Sequence, residues 1–361
     1  MTATHYGVNA PEAVKLWSRR LAREALKETY IERFIGEGRN SLIVEKNDTT
    51  KDKGDRIRNV LRMQLAGEGV QGDSTLEGAE ESLTTYTDDF VINQLRHAVR
   101  SGGKMSEQRI PFSVREEAMQ GLKDWWSDRL DSWFFNHICG YTPQTDTKYT
   151  GHNAVTAPSS GRQVWSSISG TITADQSLTS TDIFTLAMID KAVEKAKMAS
   201  PLIRPIRMNG KDHYVMFLHP YQVTSMRTNT STGQWLDIQK AAMGGGKDSG
   251  GEGGQNGVFT GALGMYNGVI LHESTRVTQG VNGSTGAAVA NTRRAVLCGA
   301  NAAHIGYGQG HSMSNWKWVE KYFDYDNQLG VSAGFIGGLK KSVWNSTDFG
   351  TIVCSTYAAA A

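Results

Sequence analysis

Cysteine, excess charge of one sign and long apolar runs are all scarce in this chain of 361 residues. The three cysteines, Cys139, Cys298 and Cys354, stand far apart without a C-x-x-C pair. Their spacing argues against a disulfide framework or a zinc site and favours a reducing compartment. Lysine and arginine total 38 against 36 aspartates and glutamates, a net charge of +2. That balance argues against a dedicated nucleic-acid-binding protein, which normally carries a clear positive excess.

Segments that direct a chain to a membrane or a secretory route are also missing from the sequence. The first twenty residues contain Glu12, Lys15, Arg19 and Arg20 but no apolar core, so no secretory signal is predicted. Long charge-free stretches, such as 295–316, are interrupted by glycine, asparagine, serine and histidine. This interruption argues against a membrane-spanning helix.

No motif predicts a catalytic residue, a cofactor site or a metal site. Lys247 follows three glycines, but Asp248 stands where a phosphate-binding loop needs serine or threonine. The nine histidines form no H-E-x-x-H motif. Glu320, Asp324 and Asp326 form a carboxylate cluster, and paired carboxylates can perform acid–base catalysis. Strand periodicity places the two aspartates on one face, where turn or ion-pair roles are more usual.

Three segments have the apolar spacing of amphipathic helices. The clearest is 113–139, where Ser113 can cap the N-terminus and Gly140 can end the helix. A second helix is predicted at about 182–198. A third, at 11–34, carries so much charge for its length that it needs a surface to lie on, because such a helix is marginal alone.

Strand patterns dominate the second half of the chain, where short apolar runs are separated by glycine-rich turns. The segment 244–254 has seven glycines in eleven residues and is predicted to be a flexible surface loop. The predicted strands are 214–218, 269–271, 295–298, 331–344 and 351–354.

Residues 41–110 differ from the rest of the chain, with 22 charged residues in 70 and only two of the 32 aromatic residues. Alternating apolar and polar residues from 57 to 65, then four glycines within 67–78, predict a long two-stranded ribbon. The pattern from Val91 to Val99 suits either a strand or the start of a helix. An isolated ribbon is marginally stable and this one has little apolar material, so we expect it to need a partner.

The charges of the predicted ribbon are segregated along the chain. Its first half is rich in lysine and arginine, whereas residues 63–95 contain seven acidic residues and no basic one. A basic stem and an acidic tip suit a head-to-tail contact between copies; the alternative is a solvated loop that keeps the chain soluble. The residues predicted to contact another subunit are Arg56, Arg58, Arg62, Glu77, Glu80 and Glu81.

Four stretches together resemble the major capsid proteins of tailed double-stranded DNA bacteriophages, in particular the coliphage N-four-like branch. Each stretch is weak alone, but they follow the order of that family and extend over much of the chain. The stretches are VMFLHPYQ (215–222), FTGALGMYNGVILHE (259–273), EKYFDYDNQLGVSAGFIGGLKKS (320–342) and NSTDFGTIV (345–353).

The resemblance implies an α+β architecture, the HK-ninety-seven-like phage capsid fold. The implied parts are an N-terminal arm at 1–40, an extended β-hairpin loop at 41–110, a peripheral domain with a long spine helix at 111–200 and 315–361, and an axial domain at 201–314. Some phages with this fold join a loop lysine covalently to a neighbour's asparagine. Because no lysine lies between Met63 and Leu95, we expect non-covalent assembly.

The function implied by the resemblance is structural and not enzymatic. Copies would assemble into hexamers and pentamers of an icosahedral phage head around double-stranded DNA, first in the bacterial host cytoplasm and finally as the virion. Expected partners are other copies, scaffolding, portal and decoration proteins, and DNA through weak non-specific contact, with no cofactor and no membrane. The alternatives are an encapsulin-like shell around a cargo enzyme and a soluble hydrolase using the acidic residues near Asp324.

Overall fold

The computed structural model describes residues 30–38, 40–46, 54–62, 65–166, 172–208, 210–228, 262–308 and 317–360. Two mixed sheets and one long helix between them form the core of this part of the chain. The predicted glycine-rich loop at 244–254 lies outside the described residues, as does the predicted helix at 11–34 up to residue 29.

The described helices are 3-10 helices at Tyr30–Phe34, Ser160–Arg162 and Asp175–Ser177 and the α-helices α1 (Lys104–Gln108), α2 (Val114–Cys139), α3 (Thr147–Thr150), α4 (Leu186–Met198) and α5 (Pro220–Thr228). The strands are β1 (Ile35–Gly36), β2 (Ile43–Lys46), β3 (Arg56–Arg62), β4 (Thr85–Val91), β5 (Asn93–Arg100), β6 (Gln163–Trp165), β7 (Ile206–Met208), β8 (Lys211–Leu218), β9 (Ala262–Tyr266), β10 (Val269–Glu273), β11 (Gly280–Val281), β12 (Ala288–Val289), β13 (Thr292–Cys298), β14 (Ala303–Tyr307), β15 (Lys317–Phe323), β16 (Gln328–Lys341), β17 (Val343–Trp344), β18 (Thr347–Asp348) and β19 (Thr351–Tyr357).

The first sheet is organised around β16, a strand of 14 residues. Its order is β1-β2-β14-β16-β15, and β5 also pairs with β16 in antiparallel register. The strand alternates between apolar residues that face α2, such as Val331 and Phe335, and small residues on the opposite face, such as Gly330 and Gly334. The two faces of this sheet therefore have different surroundings.

The second sheet has the strand order β6-β19-β13-β8-β10-β9, and β7 also pairs with β8. The apolar runs of its central strands are continuously buried, including Tyr214–Leu218 in β8 and residues 295–298 in β13. Such runs are typical of strands that are covered on both faces. In this subunit α2 covers one face, and α4 and α5 cover the other. The strands predicted in the second half of the chain are present, except that the one predicted at 331–344 ends at Lys341, and Val343–Trp344 forms a separate short strand.

Helix α2 confirms the helix predicted at 113–139. The Ser113 hydroxyl accepts a hydrogen bond from the Glu116 backbone N–H at 3.4 Å, and Gly140 ends the helix in the left-handed conformation with φ 63°. Trp126 is fully buried and meets Phe335 of β16 edge-on, with ring centroids 5.5 Å apart. The second predicted helix is present as α4, although it begins at residue 186.

The segment predicted as a helix at 11–34 ends in the core of its own subunit. Its described part is the 3-10 helix, in which Ile31 is fully buried. The backbone N–H groups of Tyr30 and Ile31 donate to the Asp131 carboxylate on α2, at 3.0 and 3.1 Å. The surface that this segment was expected to need is therefore supplied, at its C-terminal end, by α2 of its own subunit.

One alternative left open by the sequence is resolved, and one further sequence-based prediction needs correction. The segment after Val91 is a strand, because β5 completes the backbone hydrogen bonds of β16. Asp324 and Asp326 do not share a strand face, since both lie in the turn between β15 and β16. They and the intervening Tyr325 have φ values of 53°, 65° and 49°, which a strand does not allow.

A buried ion pair joins the end of α2 to the second sheet. The Arg294 guanidinium donates to Asp175 at 2.8 Å and to the backbone carbonyls of Cys139 and Gly140 at 3.2 and 2.9 Å. Asp175 also accepts hydrogen bonds from the Trp165 indole and the Val281 backbone N–H, both at 2.9 Å. The guanidinium therefore satisfies carbonyls that a helix C-terminus leaves unpaired.

We predict that acid destabilises the unassembled subunit through His137. Burial lowers the pKa of His137 from 6.5 to about 4, so the folded chain excludes a proton that the unfolded chain takes up. Stability is therefore retained above pH ~6.5 and lost as the pH falls towards ~4. Between pH 7 and pH 5 this histidine accounts for a loss of about 2 kcal/mol.

Urea unfolding at both pH values tests this prediction. His137 Nε2 lies 2.9 Å from the Thr150 carbonyl, and the amide of His137→Gln can donate to that oxygen without titrating. The variant should lose less stability on acidification than the wild-type subunit. An equal loss in the two proteins contradicts the role of His137.

Candidate assembly surface

The ribbon predicted within residues 41–110 is confirmed as an antiparallel pairing of β3 with β4, and it is shorter than that segment. The adjoining strands β2 and β5 belong to the first sheet. Along β3, Ile57 and Asn59 are buried whereas Arg58 and Val60 are exposed. The hairpin thus lays one face on the body of the subunit and leaves the other in solvent.

The inner face of the hairpin packs on the first sheet where glycine permits close approach. Ile57, Phe90 and Ile92 form a small buried cluster with Ile336 of β16. A Cβ atom on Gly306 of β14 would overlap both Ile57 and Phe90. The glycine therefore allows the hairpin to lie directly on the sheet.

A partly buried ion pair anchors the same face of the hairpin. The Asp88 carboxylate accepts a hydrogen bond from Lys340 Nζ at 2.6 Å and from the Val343 backbone N–H at 3.3 Å. Burial raises the pKa of Asp88, although the lysine opposes this shift. Lys340 also donates to the Asp89 carbonyl at 2.8 Å. These contacts join the hairpin to β16, about 250 residues further along the chain.

The outer face of the hairpin pairs two of the arginines predicted to contact another subunit. Arg58 binds Asp89 through two hydrogen bonds of 2.8 Å, and Arg56 lies 3.8 Å from the same carboxylate. The hydrogen bond with Arg58 lowers the pKa of Asp89. Arg62 is exposed at the end of β3. Asp89 was not among the predicted contact residues, and the strand register places it directly opposite Arg58.

Residues 65–84, which we call the acidic loop, connect β3 to β4 beyond the hairpin. Two of its predicted contact residues shape the loop itself: Glu81 accepts hydrogen bonds from the Ala66 and Gly67 N–H groups at 2.9 and 2.6 Å, and Glu80 accepts one from Gly78 at 2.7 Å. The backbone donors lower the pKa of Glu81. Glu77 is exposed on the same loop.

The acidic loop also exposes apolar side chains. Leu65, Leu76 and Leu83 are 56%, 59% and 57% exposed, and Val60 on the adjoining strand is 63% exposed. Four such residues on one protruding segment exceed the single scattered apolar residues that are normal on a protein surface. The hairpin therefore has the composition of a protein-binding surface.

The residues considered for catalysis in the sequence lie in an ion pair, in a turn or in the buried core. Glu320 forms a 2.6 Å ion pair with Arg115, and Asp324 accepts a hydrogen bond from Asn327 in the β15–β16 turn. Burial raises the pKa of the Cys139 thiol, and that of Cys354 to about 12, which disfavours nucleophilic thiolates. His219 is buried beside Arg293, and burial lowers its pKa to about 4.

The described residues bring together no three histidine, cysteine or carboxylate side chains in a metal-binding arrangement. Within the same part of the chain, no helix has the length and apolarity needed to cross a bilayer. The surface offers a charged hairpin whose loop presents leucines to solvent, a composition suited to contact with other protein chains.

Comparison with known proteins identifies what kind of structural protein this is. Residues 5–360 match the family described as phage capsid protein. The capsid of Ralstonia phage GP4 is 34% identical, with 99% of each chain covered and a TM-score of 0.81. The major capsid protein of Pseudomonas phage KPP25 is 29% identical over 380 residues, covering 97% of this chain and 96% of the relative. The chain belongs to the phage capsid protein family.

The family assignment confirms the structural role and the α+β capsid fold. The capsid subunit of cyanophage Pam1 shares the fold with a TM-score of 0.75 at 21% identity, with complete coverage of both chains. The prediction of no enzymatic activity is confirmed because the family is structural. The encapsulin-like shell is the weaker alternative, since the matching family consists of phage capsids.

We predict that Asp88 and its neighbour Asp89 differ sharply in their effect on the hairpin. Asp88→Ala leaves Lys340 without its carboxylate in a partly buried position, which should destabilise the docked hairpin by about 2 kcal/mol. Asp89→Ala removes an exposed ion pair on the outer face and should change stability little.

Hydrogen exchange of the β3 and β4 amides measures this difference. Faster exchange in Asp88→Ala than in Asp89→Ala is the expected result. Equal exchange in both variants would show that the pair with Lys340 does not anchor the hairpin.

Proposed function

We propose that this chain assembles into hexamers and pentamers of an icosahedral head that encloses the double-stranded DNA of a tailed phage. The observation that carries the proposal is the hairpin, whose stem is fixed to the subunit while its acidic loop exposes three leucines. The family match and the capsid of Ralstonia phage GP4 support it.

Two different patches on one subunit suffice for such an assembly. A loop that binds a separate face on the next copy forms a heterologous interface, which closes into a ring when the rotation fits. Rings of five and six subunits can then tile a closed shell. Each contact can be weak because many contacts act together in one particle.

The proposed domains follow the sequence resemblance: arm 1–40, extended loop 41–110, peripheral domain 111–200 with 315–361, and axial domain 201–314. Helix α2 would be the spine helix of the peripheral domain. The pairing of β13 with β19 supports a close connection between the last two domains, since one strand comes from each. A relationship to the coliphage N-four-like branch is part of the proposal.

The proposed partners beyond other copies are scaffolding, portal and decoration proteins, with assembly in the bacterial host cytoplasm. Contact with the packaged DNA would be weak and independent of sequence, because a net charge of +2 gives the chain little overall attraction for a polyanion. The predicted subunit contacts Arg62 and Glu77 remain part of this proposal as exposed charges of the hairpin and its loop.

Electron microscopy of the full chain tests the proposed function. The chain should be produced in bacterial cells, alone and with the other head proteins of its phage, and fractionated by sedimentation. We expect closed shells in negative stain. A chain that remains a monomer in both preparations, with a radius of gyration of ~21 Å, would contradict the proposal.

The same particles test the expectation of non-covalent assembly. After boiling and reduction, they should give one band at 39.5 kDa, because the acidic loop contains no lysine. A ladder of multiples of that mass would show covalent links between subunits.

A further inference from the structure

One face of the first sheet is covered at one end only. Helix α2 packs on the opposite face through Trp126 and Phe335. On the face away from α2, the hairpin covers the end formed by Gly306 and Lys340. The other end, where β5, β16 and β15 lie side by side, has no described segment of the chain packed over it.

The uncovered end is flat in the middle and has long side chains at its edges. Alternate positions of β16 place Gly330, Ser332 and Gly334 on this face. The register sets Arg96 and Arg100 of β5 on one side of these small residues, and Val319, Lys321 and Phe323 of β15 on the other. We call these eight residues the basic sheet face.

The basic sheet face combines positive charge with apolar surface. Arg96 and Lys321 are exposed, and Val319 is 45% exposed. The Arg100 guanidinium and Lys321 Nζ lie 4.4 and 5.3 Å from the centre of the Phe323 ring. None of the described strand positions on this face carries a carboxylate.

The acidic loop has the complementary composition. Residues 65–84 contain five carboxylates and no basic residue, and they expose Leu65, Leu76 and Leu83. The stem arginines are poor partners for such a loop, because Arg58 and Arg56 already lie beside Asp89 of their own hairpin. The basic stem expected from the sequence is therefore not the best partner that the structure offers.

We propose that the basic sheet face of one copy binds the acidic loop of a second copy. This inference rests on the proposed function and names the surface that receives the loop. Opposite charges orient the contact, and burial of the loop leucines against Val319 and Phe323 stabilises it. Each copy then supplies one loop and one face, as a heterologous interface requires.

The same observations disfavour DNA as the occupant of this face. Phosphates offer nothing for the apolar surface of Val319 and Phe323. A peptide loop with both carboxylates and leucines satisfies both parts of the surface.

A charge-swap experiment tests the proposal in cells that produce shells from the wild-type chain, with other head proteins present if these are needed. Arg96→Glu with Lys321→Glu should yield about tenfold fewer shells, because like charges then meet at the contact. Adding Asp73→Lys and Glu77→Lys should restore the yield to within about twofold, since the charges are again opposite. Both loop positions leave the described hydrogen bonds of Glu80 and Glu81 intact.

The control is Lys191→Glu, which reverses an exposed charge on α4. It should leave the yield unchanged. A normal yield in the face variant, or a loss that the loop changes do not rescue, would overturn the proposal. Normal shells with defective DNA retention would assign the face to DNA instead. Because the wild-type chain forms shells in the same cells, a result that contradicts the proposed contact leaves the proposed function intact.

Disulfide trapping provides an independent test in the assembled state. Glu77→Cys combined with Lys321→Cys should give linked dimers and higher multiples on a non-reducing gel, because the three native cysteines are buried. Glu77→Cys with Lys191→Cys is the matched control and should give none. A monomer with an internal disulfide would show that the loop covers its own sheet face, and a lack of any link would also overturn the proposal.

Discussion

A single buried guanidinium joins the end of the long helix α2 to the second sheet. Arg294 lies in the second sheet, pairs with Asp175 and binds the last carbonyls of α2. Removing either partner leaves an uncompensated charge in the interior, which is among the most costly changes a folded chain can undergo. The first sheet packs on the other side of α2, so the position of this helix sets the position of both sheets.

Only one face of the hairpin is fixed to the rest of the subunit. Its inner face is fixed by Gly306, which permits close packing, and by the pair between Asp88 and Lys340. Its outer face carries the exposed pair of Arg58 and Asp89 beside exposed Val60. The acidic loop beyond this stem therefore projects from a defined position, which lowers the entropic cost of ordering it in a contact.

The capsid role requires a stably folded subunit that also exposes surfaces able to bind other subunits. Most ionisable groups in the core are paired or neutral, as the Lys341–Asp348 pair at 2.9 Å and the low pKa of His304, about 3, illustrate. The exposed leucines and the basic sheet face are different, because no described segment of the subunit buries them.

Elements with local signals could be predicted from the amino-acid sequence without any structure. Helix α2 has an N-terminal serine cap, apolar spacing and a terminal glycine, and the central strands of the second sheet are continuous apolar runs. Pairing partners depend on contacts between residues distant in sequence. The folded chain was therefore needed to show that β5 joins β16, that Ile31 is buried beside α2 and that Asp324 lies in a turn. For the same reason, the separation of the hairpin arginines from the basic sheet face was not visible in charge patterning alone.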